Sequence, residues 1–400
     1  MKKTTGILTA TVAAVAFTLA SGVSAPNSAG AQMVEGPKVT WRASLWGKRR
    51  AFTESWEFLK SETAKRTGGN FNLKLYYGEQ LSKSKENLDG ISVGAFDAAM
   101  VCQSYHPGKL PSANVLDLPF LPITNFDVQY EVVKTVFEHP RVVADFAKWN
   151  SIIFAINMLP QYEYMGKGKP PATVADFKGK RLRALGGMGR SAKKIGAVPT
   201  TVPASETYNA LARGTVDAIG FPFTYAFSAY KLDEVADWYT TNMSLGTVNC
   251  PVVANKDSWA SLPQQYKDLL NSLKRKAAEY QIAAYQKKDV INLKEWPKKM
   301  KAITIPEDQM ADFRAKAGKP VWDEWVADNS KKVPEAQELL DLLLTTASRS
   351  RSDSLASASR LRFLKMFLVK TCLAVADAVF IMLILSGICS VGLFVVLVLC

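Results

Sequence analysis

Apolar and polar positions alternate with period two over Val39–Leu45 and again over Phe71–Tyr77 (FNLKLYY). That is the spacing of strands with one face buried. Between them Phe52–Arg66 carries its apolar residues at helical spacing and stops before Gly68-Gly69, so a helix is predicted there. Lys83–Val93 reads as a second helix, leading through Gly94 into a short buried strand over Ala95–Val101. Strand and helix in this order make one half of a doubly wound α/β sheet.

A second set follows. Ser151–Leu159 (SIIFAINML) reads as a buried strand, Arg181–Leu185 as a short one, and Gly189–Ile195 opens a helix. Thr200–Val202 is another strand, Glu206–Arg213 a helix closing on Gly214, and Ala218–Phe221 a strand again. Thr247–Ala254 then returns as though re-entering the first sheet. Leu262–Lys288 is one long helical pattern with Leu269, Leu270, Leu273, Ala277 and Tyr280 on a shared stripe. Further helices are predicted over Pro306–Ala317, Lys319–Asn329 and Pro334–Leu344. The expected architecture is α/β with two lobes. The first is 38–158 with a return segment at 248–260, the second 159–247 with parts of 262–344. Two lobes crossed by more than one chain passage enclose a hinged cleft.

Length and composition agree with this. The chain has 400 residues, 48% apolar and 22% charged, which excludes a disordered or collagen-like chain and allows two or three domains. The net charge is +14, of which Lys2 and Lys3 supply +2 and the stretch from Arg349 onward +4, leaving +8 on the body. A basic body favours an anionic ligand or surface. It contains no run of five basic residues, so no nucleic-acid tract is read.

Both ends look like addresses. Met1–Ala31 has a charged start, an apolar stretch from Gly6 to about Ala20 and an Ala29-Gly30-Ala31 cleavage pattern, so it reads as a secretory signal cut before Gln32. At the other end, 345–370 reads as a Ser/Arg-rich flexible linker (Ser348–Ser359 is SRSRSDSLASAS). The segment 371–400 reads as a membrane-spanning helix, apolar apart from Asp377. Its basic flank, Arg360, Arg362, Lys365 and Lys370, lies on the side that export would turn outward, against the usual charge bias. Two readings stay open: an anchor that violates the bias, or a tail from a membrane subunit joined by fusion or a misread frame. Of five cysteines, three lie in that tail. Cys102 and Cys250 remain, in strand-like runs; in an exported protein they could pair, but two buried thiols is the preferred reading.

No catalytic arrangement stands out. There is no G-x-S-x-G, no H-E-x-x-H and no metal-binding spacing of cysteine and histidine. His106-Pro107 and His139-Pro140 read as loop punctuation. Gly186-Gly187-Met188-Gly189-Arg190-Ser191 is a glycine-rich strand-to-helix turn without the ending of a nucleotide loop, its amides suited at most to an anion. No enzyme activity, cofactor or metal site is read. The informative segment is Asp176–Arg183 (DFKGKRLR). Strand alternation points Arg181 and Arg183 the same way with Leu182 inward, and a guanidinium at a strand end beside a glycine turn can clamp a carboxylate in bidentate fashion. On its residues alone such an arginine reads first as a solvated surface charge.

Ordered blocks give it another meaning. Thr67-Gly68-Gly69 with Gly78-Glu79-Gln80-Leu81, Gly94-Ala95-Phe96-Asp97 and Asp117-Leu118-Pro119-Phe120-Leu121 occur in the first half. DFKGKRLR, then Glu206–Asp217 (ETYNALARGTVD) and Lys319–Trp325 (KPVWDEW), occur in the second. Together, over roughly Lys38 to Leu344, they resemble the solute-binding proteins of tripartite ATP-independent periplasmic (TRAP) transporters. The resemblance implies a periplasmic-binding-protein-like cleft fold with a long inter-lobe helix, a periplasmic location, and no chemistry on the ligand. It implies capture of a small organic acid and delivery to TRAP membrane subunits driven by an ion gradient. DFKGKRLR resembles the family's D-L-K-G-x-K-I-R and places Arg183 at its ligand-carboxylate arginine.

One departure is informative. Where the family often reads G-x-x-N-P after Val216-Asp217, this chain reads Ala218-Ile219-Gly220-Phe221-Pro222. Phe221 replaces an amide with a ring, which argues against a fully polar dicarboxylate pocket and for an acid with one clamped carboxylate and a less polar, even aromatic, remainder. Phe221 as plain core is the alternative. Softer candidates for the cleft are Trp46 in the loop after the first strand, Glu79, Tyr105 and Gln161, with Asp217 and Glu206 read as structural. The rival readings are a membrane-tethered sensor or binding module, suggested by the tail, and an enzyme on the same frame.

Overall fold

The computed structural model describes residues 33–356. Eleven strands are described: β1 (Val39–Ser44), β2 (Phe71–Tyr76), β3 (Ala98–Met100), β4 (Ser151–Ala155), β5 (Tyr162–Gly166), β6 (Arg181–Arg183), β7 (Val198–Thr200), β8 (Ala218–Pro222), β9 (Trp238–Thr240), β10 (Val252–Asn255) and β11 (Lys301–Ile303). They form two sheets, one ordered β2-β1-β3-β10-β4 and the other β11-β9-β5-β8-β6-β7. In the first, β1 runs parallel to β2 and β3, as expected of a doubly wound half, and β10 returns antiparallel between β3 and β4. Each sheet is the centre of one α/β lobe.

The chain passes between the sheets after β4 and again before β10. Both crossings are the ends of segments expected to be long strands. Ser151–Leu159 ladders only to Ala155 and Thr247–Ala254 only from Val252, because the residues between leave one sheet for the other. Backbone bonds such as Cys250 N to Asn157 O, at 3.2 Å, join the two crossings, and buried side chains take up further polar groups. Gln129 Nε2 donates to Leu159 O, Thr247 Oγ1 and Asn249 Oδ1, at 2.9–3.1 Å. Gln281, in the middle of a 32-residue helix over Gln264–Glu295, bonds both Met158 N and Met158 O, at 3.1 and 2.9 Å. That helix begins on the first lobe, where Tyr266 stacks on Phe71. It ends on the second, where Asp289 accepts from Thr224 Oγ1 at 2.7 Å. It is thus a spine along both lobes, running seven residues past the predicted end at Lys288.

Three expectations are corrected here. The turns before Asn87 shorten the predicted helix over Lys83–Val93 to Asn87–Ser92. The stretch read as a flexible linker is helical as far as it is described: 336–356 form one helix. Leu339, Leu340, Leu343 and Ala347 are buried, so packing anchors its first turns, and propagation then adds a hydrogen bond per residue without a new nucleus. Cys102 and Cys250, read as thiols, form a disulfide. The β3/β10 register pairs Met100 with Val252 and Ala98 with Ala254, which carries Cys102 opposite Cys250 just beyond the ladder. Among the described residues no helix is long and apolar enough to cross a membrane. The signal reading at 1–31 and the spanning segment at 371–400 lie outside the described residues.

Candidate functional site

Strand β6 lies between β7 and β8. Arg181, at the outer end, pairs with Asp217, whose carboxylate accepts from its backbone N and its Nη2 at 2.7 Å each. Arg183, at the inner end, is 1% exposed. The two arginines therefore share a strand but not an environment, and Asp217 has the structural role expected of it.

Three hydrogen bonds position the Arg183 guanidinium. Nε donates to Val202 O at 3.0 Å, Nη1 to Gly220 O at 2.8 Å and Nη2 to Tyr105 Oη at 3.3 Å. Its carbon sits 4.7 Å from the centre of the Phe221 ring, a cation–π contact. Gly220 is required in β8 because a Cβ there would lie 2.9 Å from Arg183 O. Tyr105 Oη also accepts from Ala204 N at 3.1 Å, so a first-lobe phenol bridges to the second lobe at the arginine.

Arg183 opens on a cavity with about 460 Å³ of empty space, including its mouth. Trp46, Phe52 and Tyr105 wall it from the first lobe, Tyr162, Phe221 and Tyr230 from the second, and Tyr285 from the long helix. The two disulfide-bonded cysteines line it where the crossings meet. Its charged lining residues are Arg183 and Arg50, with no carboxylate among them. Burial raises the phenols of Tyr162, Tyr230 and Tyr285 above their ordinary range, so they stay neutral. The Asp117 carboxyl nearby is likewise pushed well up by burial. The cavity is an apolar, aromatic space with a positive interior.

Four expected site residues, Arg183, Phe221, Trp46 and Tyr105, meet in this cavity. Two do not. Gln161 donates at 3.4 Å to Ile123 O and lines a separate hollow beside Asn125 and Phe126, because alternation at the start of β5 gives the cavity side to its neighbour Tyr162. Glu79 has φ +64, and its Oε1 accepts from Ser84 N at 3.0 Å. It caps the following turn and stands at the outer opening between the lobes, opposite Ser205 and Glu206. The glycine-rich turn packs on the segment at Asp117: a Cβ at Gly187 would lie 2.5 Å from Asp117 O, so the glycine lets the two segments approach.

Sequence reasoning missed Arg50, Tyr230 and Tyr285. Arg50 stands in the run Lys48-Arg49-Arg50, which carries no signal that one member turns inward. Tyr285 lies on the predicted long helix, and only the tertiary fold brings it to the cleft.

The chemistry offered is anion capture. His106 is buried, and that burial lowers its pKa to about 4, so it is neutral near pH 7. It is not part of the cavity lining. His139 caps a helix, its Nδ1 accepting from Arg141 N at 3.2 Å. Among the described residues no group of acidic, histidine and cysteine side chains stands ready to hold a metal.

The family model for bacterial extracellular solute-binding proteins, family 7, matches residues 43–329. A solute-binding protein of Albidiferax ferrireducens is 25% identical over 290 residues, covering 70% of this chain and 84% of that protein. The 2,3-diketo-L-gulonate-binding periplasmic protein YiaO of Escherichia coli is 29% identical over 286 residues, covering 69% and 82%. Among solved structures, a TRAP solute-binding protein from Rhodoferax ferrireducens in complex with copurified benzoate superposes with a TM-score of 0.72. It is 19% identical, and the alignment covers 79% of this chain and all of that one.

Proposed function

This chain belongs to the bacterial extracellular solute-binding proteins of family 7, and from that membership we propose that it captures an organic acid between its lobes and hands it to TRAP membrane subunits. Arg183 is the carboxylate anchor. Phe221, Trp46 and Tyr105 enclose the rest of the ligand, which leaves chemically unchanged. The observation that carries this reading is a guanidinium, 1% exposed, that faces an aromatic cavity with no ion pair among the described residues. A buried cation without a counter-charge is costly, and a bound carboxylate offsets that cost. Ligand held by both walls binds the closed arrangement best and shifts the lobes towards it. The periplasm fits the disulfide between Cys102 and Cys250, since disulfides persist in oxidising compartments.

A thermal-shift screen tests the anchor. Organic acids, aromatic and aliphatic, are expected to raise Tm, since ligand at about 100 Kd adds roughly 2.7 kcal/mol to stability. Their primary amides, matched in shape and neutral, are expected not to. Equal shifts from an acid and its amide would remove the carboxylate from the reading.

The ring at 221 sets the character of the remainder. Phe221→Asn is expected to weaken aromatic acids about three- to tenfold more than small aliphatic dicarboxylates, because it exchanges a stacking face for an amide. Calorimetry with both sets of ligands measures this. Equal losses in the two sets would make Phe221 ordinary core.

A further inference from the structure

The cavity holds a second cation. Arg50 follows β1 and is 6% exposed. Its neighbour Arg49 lies at the surface with Glu54, where Nε and Nη2 bond the carboxylate at 2.8 and 3.0 Å. Arg50 instead turns inward, its backbone N donating to Thr53 Oγ1 at 3.1 Å at the start of a short helical turn. Nη1 is held by Trp46 O and Lys48 O, both at 2.8 Å. Nε and Nη2 have no protein partner among the described residues, and Arg50 forms no ion pair there. Beside it the buried Tyr230 Oη is also without a hydrogen-bond partner. The guanidinium carbon lies 5.4 Å from the centre of the Tyr230 ring.

Arg50 and Arg183 are joined by a chain of ring contacts, each guanidinium lying over one of two neighbouring aromatic rings. From Arg183 to Phe221, to Tyr230, to Arg50 the successive separations are 4.7, 5.3 and 5.4 Å. Arg50 belongs to the first lobe and Arg183 to the second. A single carboxylate on Arg183 would neutralise one buried guanidinium and leave the other uncompensated in an apolar space, which is unfavourable.

We propose that Arg50 is a second anion-binding residue of this cavity and that the ligand is an organic acid with two anionic groups at opposite ends of a planar, apolar body. The inference rests on the proposed capture of a carboxylate by Arg183. Such a ligand differs from a small, fully polar dicarboxylate, which would leave the Phe221–Tyr230 surface unfilled. Because its two ends engage different lobes, it ties them together on binding.

Calorimetry of the protein with benzoate, benzene-1,3-dicarboxylate and benzene-1,4-dicarboxylate tests this. At least one diacid is expected to bind the unaltered protein about tenfold or more tighter than benzoate, the size of effect expected when a buried charge gains its partner. In Arg50→Gln that preference is expected to collapse to within about threefold of parity, and Arg50→Lys to retain part of it. A wild-type protein that binds benzoate but prefers neither diacid overturns the inference and leaves carboxylate capture standing, as does a preference that survives Arg50→Gln. If neither benzoate nor a diacid binds, the inference fails, and if no other organic acid raises Tm either, carboxylate capture fails with it. Should Arg50→Gln not fold, the wild-type preference and its change in Arg50→Lys decide.

Discussion

Arg183→Ala is expected to lower organic-acid affinity by about a hundredfold or more, since truncating one partner of a buried, hydrogen-bonded charge pair costs roughly 2–5 kcal/mol. Two effects contribute and can be separated. The first is loss of the positive charge facing the cavity. The second is structural: Val202 O and Gly220 O lose their donor, and a buried acceptor left unpaired costs about 1–3 kcal/mol of stability. Tm is therefore expected to fall alongside affinity. Arg183→Lys separates the two, because an ammonium keeps the charge but cannot reproduce the planar fork that reaches two carbonyls and a phenol at once. It is expected to restore part of the affinity and little of the stability. The decisive measurement is calorimetry with an acid that shifts Tm of the unaltered protein. An unchanged Kd in a folded Arg183→Ala variant would show that the ligand is held elsewhere.

How much of this was legible follows from the range over which each determinant acts. The alternation at β1 and β2 and the glycine stop after Arg66 are local, and the elements there fall within a residue or two of expectation. The helix over Lys319–Asn329 matches its predicted limits because a proline near its start and a buried Val321 and Trp325 mark it. Strand ends at the crossings were not legible, because Ile156–Leu159 are as apolar as a strand while their partners lie on another element. Strands β5, β9 and β11 were not foreseen. The last two are three residues each, too short for a period to register, and are defined by the ladder between them.

The site divides the same way. Arg183 and Phe221 stand in contiguous motifs that place them on adjacent strands, whereas Arg50 and Tyr285 come from a loop and a distant helix. Gln161 and Glu79 lie outside this cavity for a related reason. A loop position places a residue near the cleft, but which way its side chain turns depends on one more residue of register or on a positive φ.

Removing the disulfide with Cys102→Ala and Cys250→Ala is expected to destabilise the protein by about 2–5 kcal/mol, the usual cost of losing a native disulfide. The bond closes a sequence separation of 148, which includes β4 to β9. Chain-entropy arguments put the stabilisation of so long a loop towards the upper part of that range. Its position also says what it does not do. β3 and β10 neighbour each other in the first sheet, so the bond ties the returning crossing to the lobe it re-enters. It makes no link across the cleft that opening would have to break. Closure is therefore expected to survive its loss, and affinity to change less than Tm, although the two cysteines line the cavity. Scanning calorimetry of the unaltered protein with and without a strong reductant, beside the double variant, measures the stability term. Alkylation under denaturing conditions, followed by intact mass, counts free thiols. Free thiols at both positions in the exported protein would refute the bond itself. A Tm unmoved by reduction, with both thiols then shown to be freed, would refute its contribution to stability.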